Sequence, residues 1–207
     1  HLIASSGWHL TPGAINTFDG DNKAHAALLA DRSEGRDRDH HLESAGTMLV
    51  SAACHPSYSM MTGRLPEEGR LLDIYGYCFR HEPAVDPARM QAFRMHEYVR
   101  VGTPDEAVAH RERWVSRGLQ VLADLGLEAE AVIANDPFFG RAGRMLANNQ
   151  RDQRLKFELL IPIESEEKPT ACLSFNYHQD HFGTTWGIQT AAGETAHTAC
   201  VGFGMER

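Results

Sequence analysis

The chain has 207 residues, 42% of them hydrophobic and 23% charged, which suffices for one domain with a sizeable core and is ordinary for a globular protein. A formal net charge of −8 argues against broad contact with nucleic acid, whose affinity rests on lysine and arginine at phosphates, but leaves room for an acidic small ligand held by a few arginines. No run reaches the ~18 apolar residues of a membrane span, the opening HLIASSGWH lacks the apolar core of a secretion signal, and the four cysteines are dispersed without a CxxC, so a cytoplasmic protein with reduced thiols is expected.

Residues 1–20 are glycine-rich and polar. The next segment reads as a helix at NKAHAALLA and then becomes DRSEGRDRDHHLE, expected as a solvated helix end or surface loop. A metal role for His40 and His41 is the minor reading, because adjacent side chains on a regular element point different ways. Residues 47–53 (TMLVSAA) are expected as a short buried strand ending at Cys54.

Residues 78–102 follow, reading CFRHEPAVDPARMQAFRMHEYVRVG. An apolar run leads in, Pro83 and Pro87 break it, and a second strand-like run resumes, which predicts an antiparallel strand–loop–strand unit. Alternation puts Arg89, Gln91, Phe93, Met95 and Glu97 on one face of the second strand, and Cys78, Arg80 and Glu82 on one face of the first. Two arginines, two carboxylates and an aromatic on one side of a sheet point to a charged, planar ligand.

Thr103-Pro104-Asp105-Glu106 is a helix start, with an N-cap, proline at the first helical position and acid in the first turn. The helix is expected to run to about Leu125, with Val108, Trp114, Val115, Leu119 and Leu122 at helical spacing, and to stop at Gly126. Residues 135–150 read as a loop leading into a basic segment, and 128–133, 155–163, 171–177 and 195–201 as strands. Strands outnumber helices and join through short loops, so the fold class expected is α+β, a mostly antiparallel sheet flanked by helices, in one domain over residues 1–207.

The closing GFGMER lets backbone approach a ligand at Gly202 and Gly204 and offers Arg207 to a phosphate, although as an isolated pattern a glycine turn before a helix is the stronger reading. Cys54, Glu97 and Cys200 would give zinc three protein ligands and an open fourth position, against the plainer reading of small buried cysteines. Lys156, beside Glu158, is a phosphate contact or a solvated strand lysine. His178, His181 and His197 invite a general base but are more often structural, and Asn176 is the better candidate for touching substrate.

FRHE, ARMQAF and GFGMER together resemble motifs 2 and 3 of the class II aminoacyl-tRNA synthetases. That resemblance implies that Arg80 and Arg207 are catalytic, Arg80 at the ATP α-phosphate and Arg207 at the γ-phosphate. It further implies Glu82 and Phe93 at adenine, Arg89 as the second motif-2 arginine, and Met90, Lys156, Ala171 and Ser174 along the ATP site. Cys54, Glu97 and Cys200 are similar to the zinc set of methanogen-type seryl synthetases, which grips the amine of the amino acid. HEPAVDPARMQAFRMHEYVRVGTP, ANDPFFGRAGRMLANNQR, LKFELLIPI, SFNYHQDHFG and AHTACVGFGMER resemble, more narrowly, the amino acid:[carrier protein] ligases. The implied activity is ATP-dependent activation of a small amino acid, glycine or alanine, and its transfer to a carrier protein's phosphopantetheine thiol. Implied cofactors are Zn²⁺ and Mg²⁺, and the implied assembly is a homodimer acting on neither tRNA nor membrane. A tRNA-charging relative and a non-catalytic zinc module are the alternatives. Phe138, Phe139, Arg141 and Arg144 would dock an acidic carrier or form a core pair with solvated arginines. The region carrying motif 1 and the helix after the motif-3 arginine have no counterpart here, so a partial catalytic domain is expected.

Overall fold

The computed structural model describes residues 14–17, 22–80, 85–135, 148, 150–163 and 165–206. A six-stranded antiparallel sheet organises them: β4 (Arg70–Phe79), β5 (Ala92–Gly102), β6 (Glu130–Ile133), β7 (Lys156–Ile161), β8 (Thr170–Gln179) and β10 (His197–Gly204), in the order β4-β5-β10-β8-β7-β6. The C-terminal strand is thus inserted at the centre of the sheet, between β5 and β8. Beside it lie β1 (Ala14–Thr17) paired with β2 (Glu43–Met48), and a two-residue parallel contact of β3 (Gly63–Arg64) with β9 (Ile188–Gln189). Helices among the described residues include α1 (Asn22–Ser33), the single turn α2 (His55–Tyr58), α3 (Pro104–Asp124) and α4 (His181–Trp186). The architecture is α+β, as the excess of strand patterns joined by short loops predicts. None of the described helices is long and apolar enough to cross a membrane.

Helix α3 covers one face of the sheet. It starts where the sequence requires: Thr103 caps it, the Glu106 amide donates to the Thr103 hydroxyl and the Thr103 amide donates back to the Glu106 carboxylate 2.9 Å away. Its inner face meets Phe157, Leu159, Leu173, Phe175 and Val201. Gly118 permits that approach, since a Cβ there would lie 2.9 Å from Phe175 and 3.0 Å from Leu173. Trp114 stacks on Tyr98 at 4.8 Å, closing one flank of this core.

Two predicted boundaries move. Of residues 47–53 only the first two are strand: pairing with β1 sets that strand at Glu43–Met48, and 51–54 become a turn. The Val50 carbonyl there accepts from the Phe79 amide at 2.8 Å, while the Cys54 amide is spent on Glu97. Strand β5 begins at Ala92, so Arg89 and Gln91 lie in the loop rather than on the strand face. Asp86 is the cause, since its side chain accepts from the Ala88 amide at 2.8 Å and its carbonyl from Arg89 at 3.0 Å, closing a turn.

Candidate active site

Opposite α3, the sheet carries a band of polar and sulfur side chains. Alternation aims Phe93, Met95 and Glu97 at this face from β5, with Cys78 paired to Phe93 on β4. Across the neighbouring strands Glu97 faces Gly202, Gly202 faces Ser174, and Ser174 faces Glu158; Cys200 faces Asn176, and Asn176 faces Lys156. Residues far apart in sequence therefore form two adjoining lines of one polar row, the first across four strands and the second across three.

Cys54, Glu97 and Cys200 are all buried, and their ligand atoms lie within 4.8 Å of one another. Cys54 arrives from the 51–54 turn at the start of α2, its amide donating to Glu97 Oε1 at 3.1 Å. Asn176 Nδ2 lies 3.6 Å from Cys200 Sγ and donates to it, and His178 Nε2 is also 3.6 Å from that sulfur. The other ring nitrogen of His178 sits 2.9 Å from the Thr198 hydroxyl, which orients the imidazole. The hydrogen bond from Cys54, with His178 and Asn176 behind it, holds the Cys200 thiol well below the usual range. That same bond, together with burial, pushes Cys54 well above it, so the charge of the sulfur pair rests on Cys200. Burial, followed by the charge on Cys200, raises Glu97 to about 7.

This donor set fits a zinc-type ion. Two sulfurs and one carboxylate converge in a buried place, which is electrostatically costly without a cation, and three protein ligands leave a further coordination position open. The Tyr58 side chain is fully buried at this end of the site, and its hydroxyl has no hydrogen-bond partner among the described residues. Gly202 keeps the space beside Glu97 clear, since a Cβ there would lie 3.3 Å from Met95 Sδ, 3.5 Å from Ser174 Oγ and 3.6 Å from Glu97 Cγ.

The other end of the row carries Arg80, just past β4. Its Nε donates to the Ser51 carbonyl at 3.0 Å, and its guanidinium lies over the Phe93 ring, 5.1 Å from the centroid. Phe93 is 1% exposed and packs with Ala53, Cys78, Met95 and the partly buried Met90. Arg89 stands apart from the row and pairs with Asp86 at 3.3 Å. Lys156 is not a solvated strand lysine: its side chain is buried and pairs with Glu158 Oε1 at 3.1 Å. Ala171 pairs with Leu160 near the start of β8. The expectations for Glu82 and Arg207, and for Phe138, Phe139, Arg141 and Arg144, fall outside the described residues.

Two further residues join the site without having been singled out for it, and a third, His178, enters in a role other than general base. Ser51, 1% exposed, orients Arg80; Tyr58 faces the ligand cluster; and His178 touches the Cys200 sulfur as an orienting group. His178 was legible in principle, lying two residues beyond Asn176 on the same strand face, and Tyr58 lies one helical turn beyond Cys54. Ser51 carried no local signal. His197 pairs instead with the Tyr177 hydroxyl at 2.6 Å, and His181 starts α4.

No protein-family model matches the chain. It is 49% identical over 197 residues to amino acid–[acyl-carrier-protein] ligase 1 of Bradyrhizobium diazoefficiens, covering 94% of this chain and 60% of that protein. It is 53% identical over 183 residues to ligase 2 of the same organism, covering 87% and 55% respectively. The chain thus spans between 55% and 60% of the length of these curated relatives. Among solved structures, the seryl-tRNA synthetase of M. kandleri, crystallised with A. aeolicus tRNASec, matches with a TM-score of 0.73 at 23% identity, over 94% of this chain and 41% of that one. The fold is that of a class II synthetase-like catalytic domain.

Proposed function

From its kinship with the amino acid–[acyl-carrier-protein] ligases as premise, we propose that this protein activates a small amino acid, glycine or alanine, with ATP and transfers it to the phosphopantetheine thiol of a carrier protein. The observation that carries this reading is the convergence of Cys54, Glu97 and Cys200 on the sheet face that also bears Arg80 and Phe93.

In the first step a carboxylate oxygen of the amino acid attacks the α-phosphorus of ATP and pyrophosphate leaves, a reaction governed by positioning and charge neutralisation. Arg80 neutralises charge at the α-phosphate, a task shared with the Mg²⁺ that accompanies ATP, and Arg207 meets the leaving phosphates. The Ser51 carbonyl accepts from Nε of Arg80 and so orients the planar guanidinium beside Phe93, where adenine would stack. Glu82 reads the adenine amino group. Arg89, Met90, Lys156, Ala171 and Ser174 line the remaining nucleotide site.

Cys54, Glu97 and Cys200 would hold a zinc ion, which would supply a Lewis-acid position for the amine of the substrate. Asn176 and His178 hold the Cys200 sulfur as an anionic ligand, and Asn176 also orients the substrate. Gly202 leaves room beside Glu97 for a short side chain only. In the second step the carrier's thiolate attacks the carbonyl carbon of the aminoacyl-adenylate and AMP leaves, which needs no protein nucleophile. The enzyme acts as a homodimer in the cytoplasm.

The test is amino-acid-dependent ATP–pyrophosphate exchange across an amino acid panel, followed by loading of a phosphopantetheinylated carrier. Exchange with glycine or alanine and a labelled carrier is expected, and no exchange by the zinc-loaded protein overturns the enzyme reading. The synthetase-like fold favours tRNA as the rival acceptor. Labelled tRNA without labelled carrier would establish that alternative.

A further inference from the structure

Away from the active-site face, the His-rich segment after α1 forms a second cluster of metal-ligating groups. Residues 39–41 make one tight 3₁₀ turn, which brings two adjacent histidines to the same side, with ring centroids 3.9 Å apart. Both reach the same atom: Nε2 of His41 is 2.7 Å and Nε2 of His40 is 3.3 Å from Asp31 Oδ2. These separations approach those between neighbouring ligands of a tetrahedral ion with bonds of roughly 2.0–2.1 Å. The remaining carboxylate oxygen, Oδ1, accepts from the Arg36 guanidinium at 2.6 and 2.7 Å, which fixes the carboxylate in the way an outer-shell donor fixes a metal ligand.

The surroundings point the same way. Helix α1 buries no residue, and neither does the 39–41 turn, so apolar packing does not hold the turn against the helix. Residues 31–43 carry five carboxylates against three arginines, a surplus of two negative charges that one divalent cation would neutralise. The side chains of Asp31 and His41 are 14% and 13% exposed while that of His40 is 61% exposed, so the group is anchored on one side and open to solvent on the other.

We propose that Asp31, His40 and His41 form a second metal site, which binds a divalent transition ion of the zinc type through one carboxylate oxygen and two imidazoles and pins the turn to α1. The donor set of two nitrogens and one oxygen suits zinc, cobalt, nickel or copper rather than magnesium or calcium. The site is independent of the proposed ligase reaction.

Cobalt titration of the metal-stripped chain separates the two sites, because cobalt bound by Cys54 and Cys200 gives an intense thiolate charge-transfer band and cobalt bound by nitrogen and oxygen does not. The expected result is two equivalents of cobalt per chain, one of them without thiolate absorption. The H40A/H41A double variant loses that equivalent and keeps the thiolate band. The single variant H40A, altered at an exposed side chain that packs against no core, weakens the second equivalent by ten-fold or more. Retention of the second equivalent in the double variant overturns the proposal, and so does the absence of any binding beyond the thiolate site at millimolar ion. Failure of the ligase reading shows instead as a missing thiolate band or missing exchange, with the second equivalent intact.

Discussion

The two faces of the central sheet are made by the same strands yet obey opposite rules. On the α3 side, Phe157, Leu159, Leu173, Phe175 and Val201 form a continuous apolar surface against one helix. On the other side the alternate positions of those strands hold Lys156, Glu158, Ser174, Asn176, Cys200 and Gly202. The first face needs only shape and hydrophobicity. The second gathers charges and thiols that cost free energy to bury, and the burial that raises Glu97 reflects that cost. The site-side face also holds a core of its own, where Val99 and Val101 pack with Tyr58, Leu65, Phe182 and Ile188 beside Cys54 and Cys200, so a substitution's effect should depend on whether its side chain joins an apolar core or the polar row.

The largest effect is expected on the helix side. Phe175→Ala removes a fully buried ring from the α3 contact and should cost about 3–5 kcal/mol of unfolding free energy in urea titrations, while the surviving folded fraction keeps its metal content. Cys200→Ser should leave far-UV circular dichroism unchanged yet lower zinc affinity and amino-acid-dependent exchange by at least about a hundredfold. If it unfolded the chain instead, the separation of faces would fail. Gly202→Ala places a methyl group 3.3 Å from the Met95 sulfur, a flexible neighbour that can yield. Its stability should change little, while KM for the amino acid should rise roughly ten-fold, the scale of one methylene-sized contact.

Two smaller effects belong to α3 itself. Thr103→Ala deletes half of the capping box and should lower stability by about 1 kcal/mol without altering exchange. His110 is buried on α3, 3.2 Å from the Tyr98 carbonyl, and burial holds its pKa below the ordinary histidine value. The fold therefore favours the neutral ring. That contribution is fully present above about pH 6.5 and is lost as pH falls through the lower folded value. Urea midpoints should decline on acidification below neutrality, and less steeply in His110→Gln.

Local chemistry in the chain already determined a good deal. The Thr103–Glu106 signature set the start of α3, and a glycine at 126 its end, because capping and termination depend on neighbours three or four residues away. Period-two alternation placed Phe93, Met95 and Glu97 on one side of their strand, and six strand patterns correspond to the six strands of the sheet. The likeness of Cys54, Glu97 and Cys200 to a zinc set was legible, but not that they meet. Their convergence depends on the last strand entering the middle of the sheet, a non-local pairing that no window of sequence records.

Tertiary structure also decided where local patterns misled. Alternation carried Arg89 and Gln91 onto the strand face, but the Asp86 turn ended the strand before them. Lys156, which local sequence left open between a phosphate contact and a solvated lysine, is buried beside Glu158, because its strand lies inside the sheet. His40 and His41, expected to diverge as neighbours on a regular element, converge because a 3₁₀ turn follows neither helical nor strand geometry. Ser51 gained its contact with Arg80 only when the turn before Cys54 folded back over the end of β4. Periodicity and caps are encoded over a few residues. Which strand enters which gap, and which turn closes over which arginine, depends on pairings between residues tens of positions apart, and those are decided by the packing of the whole.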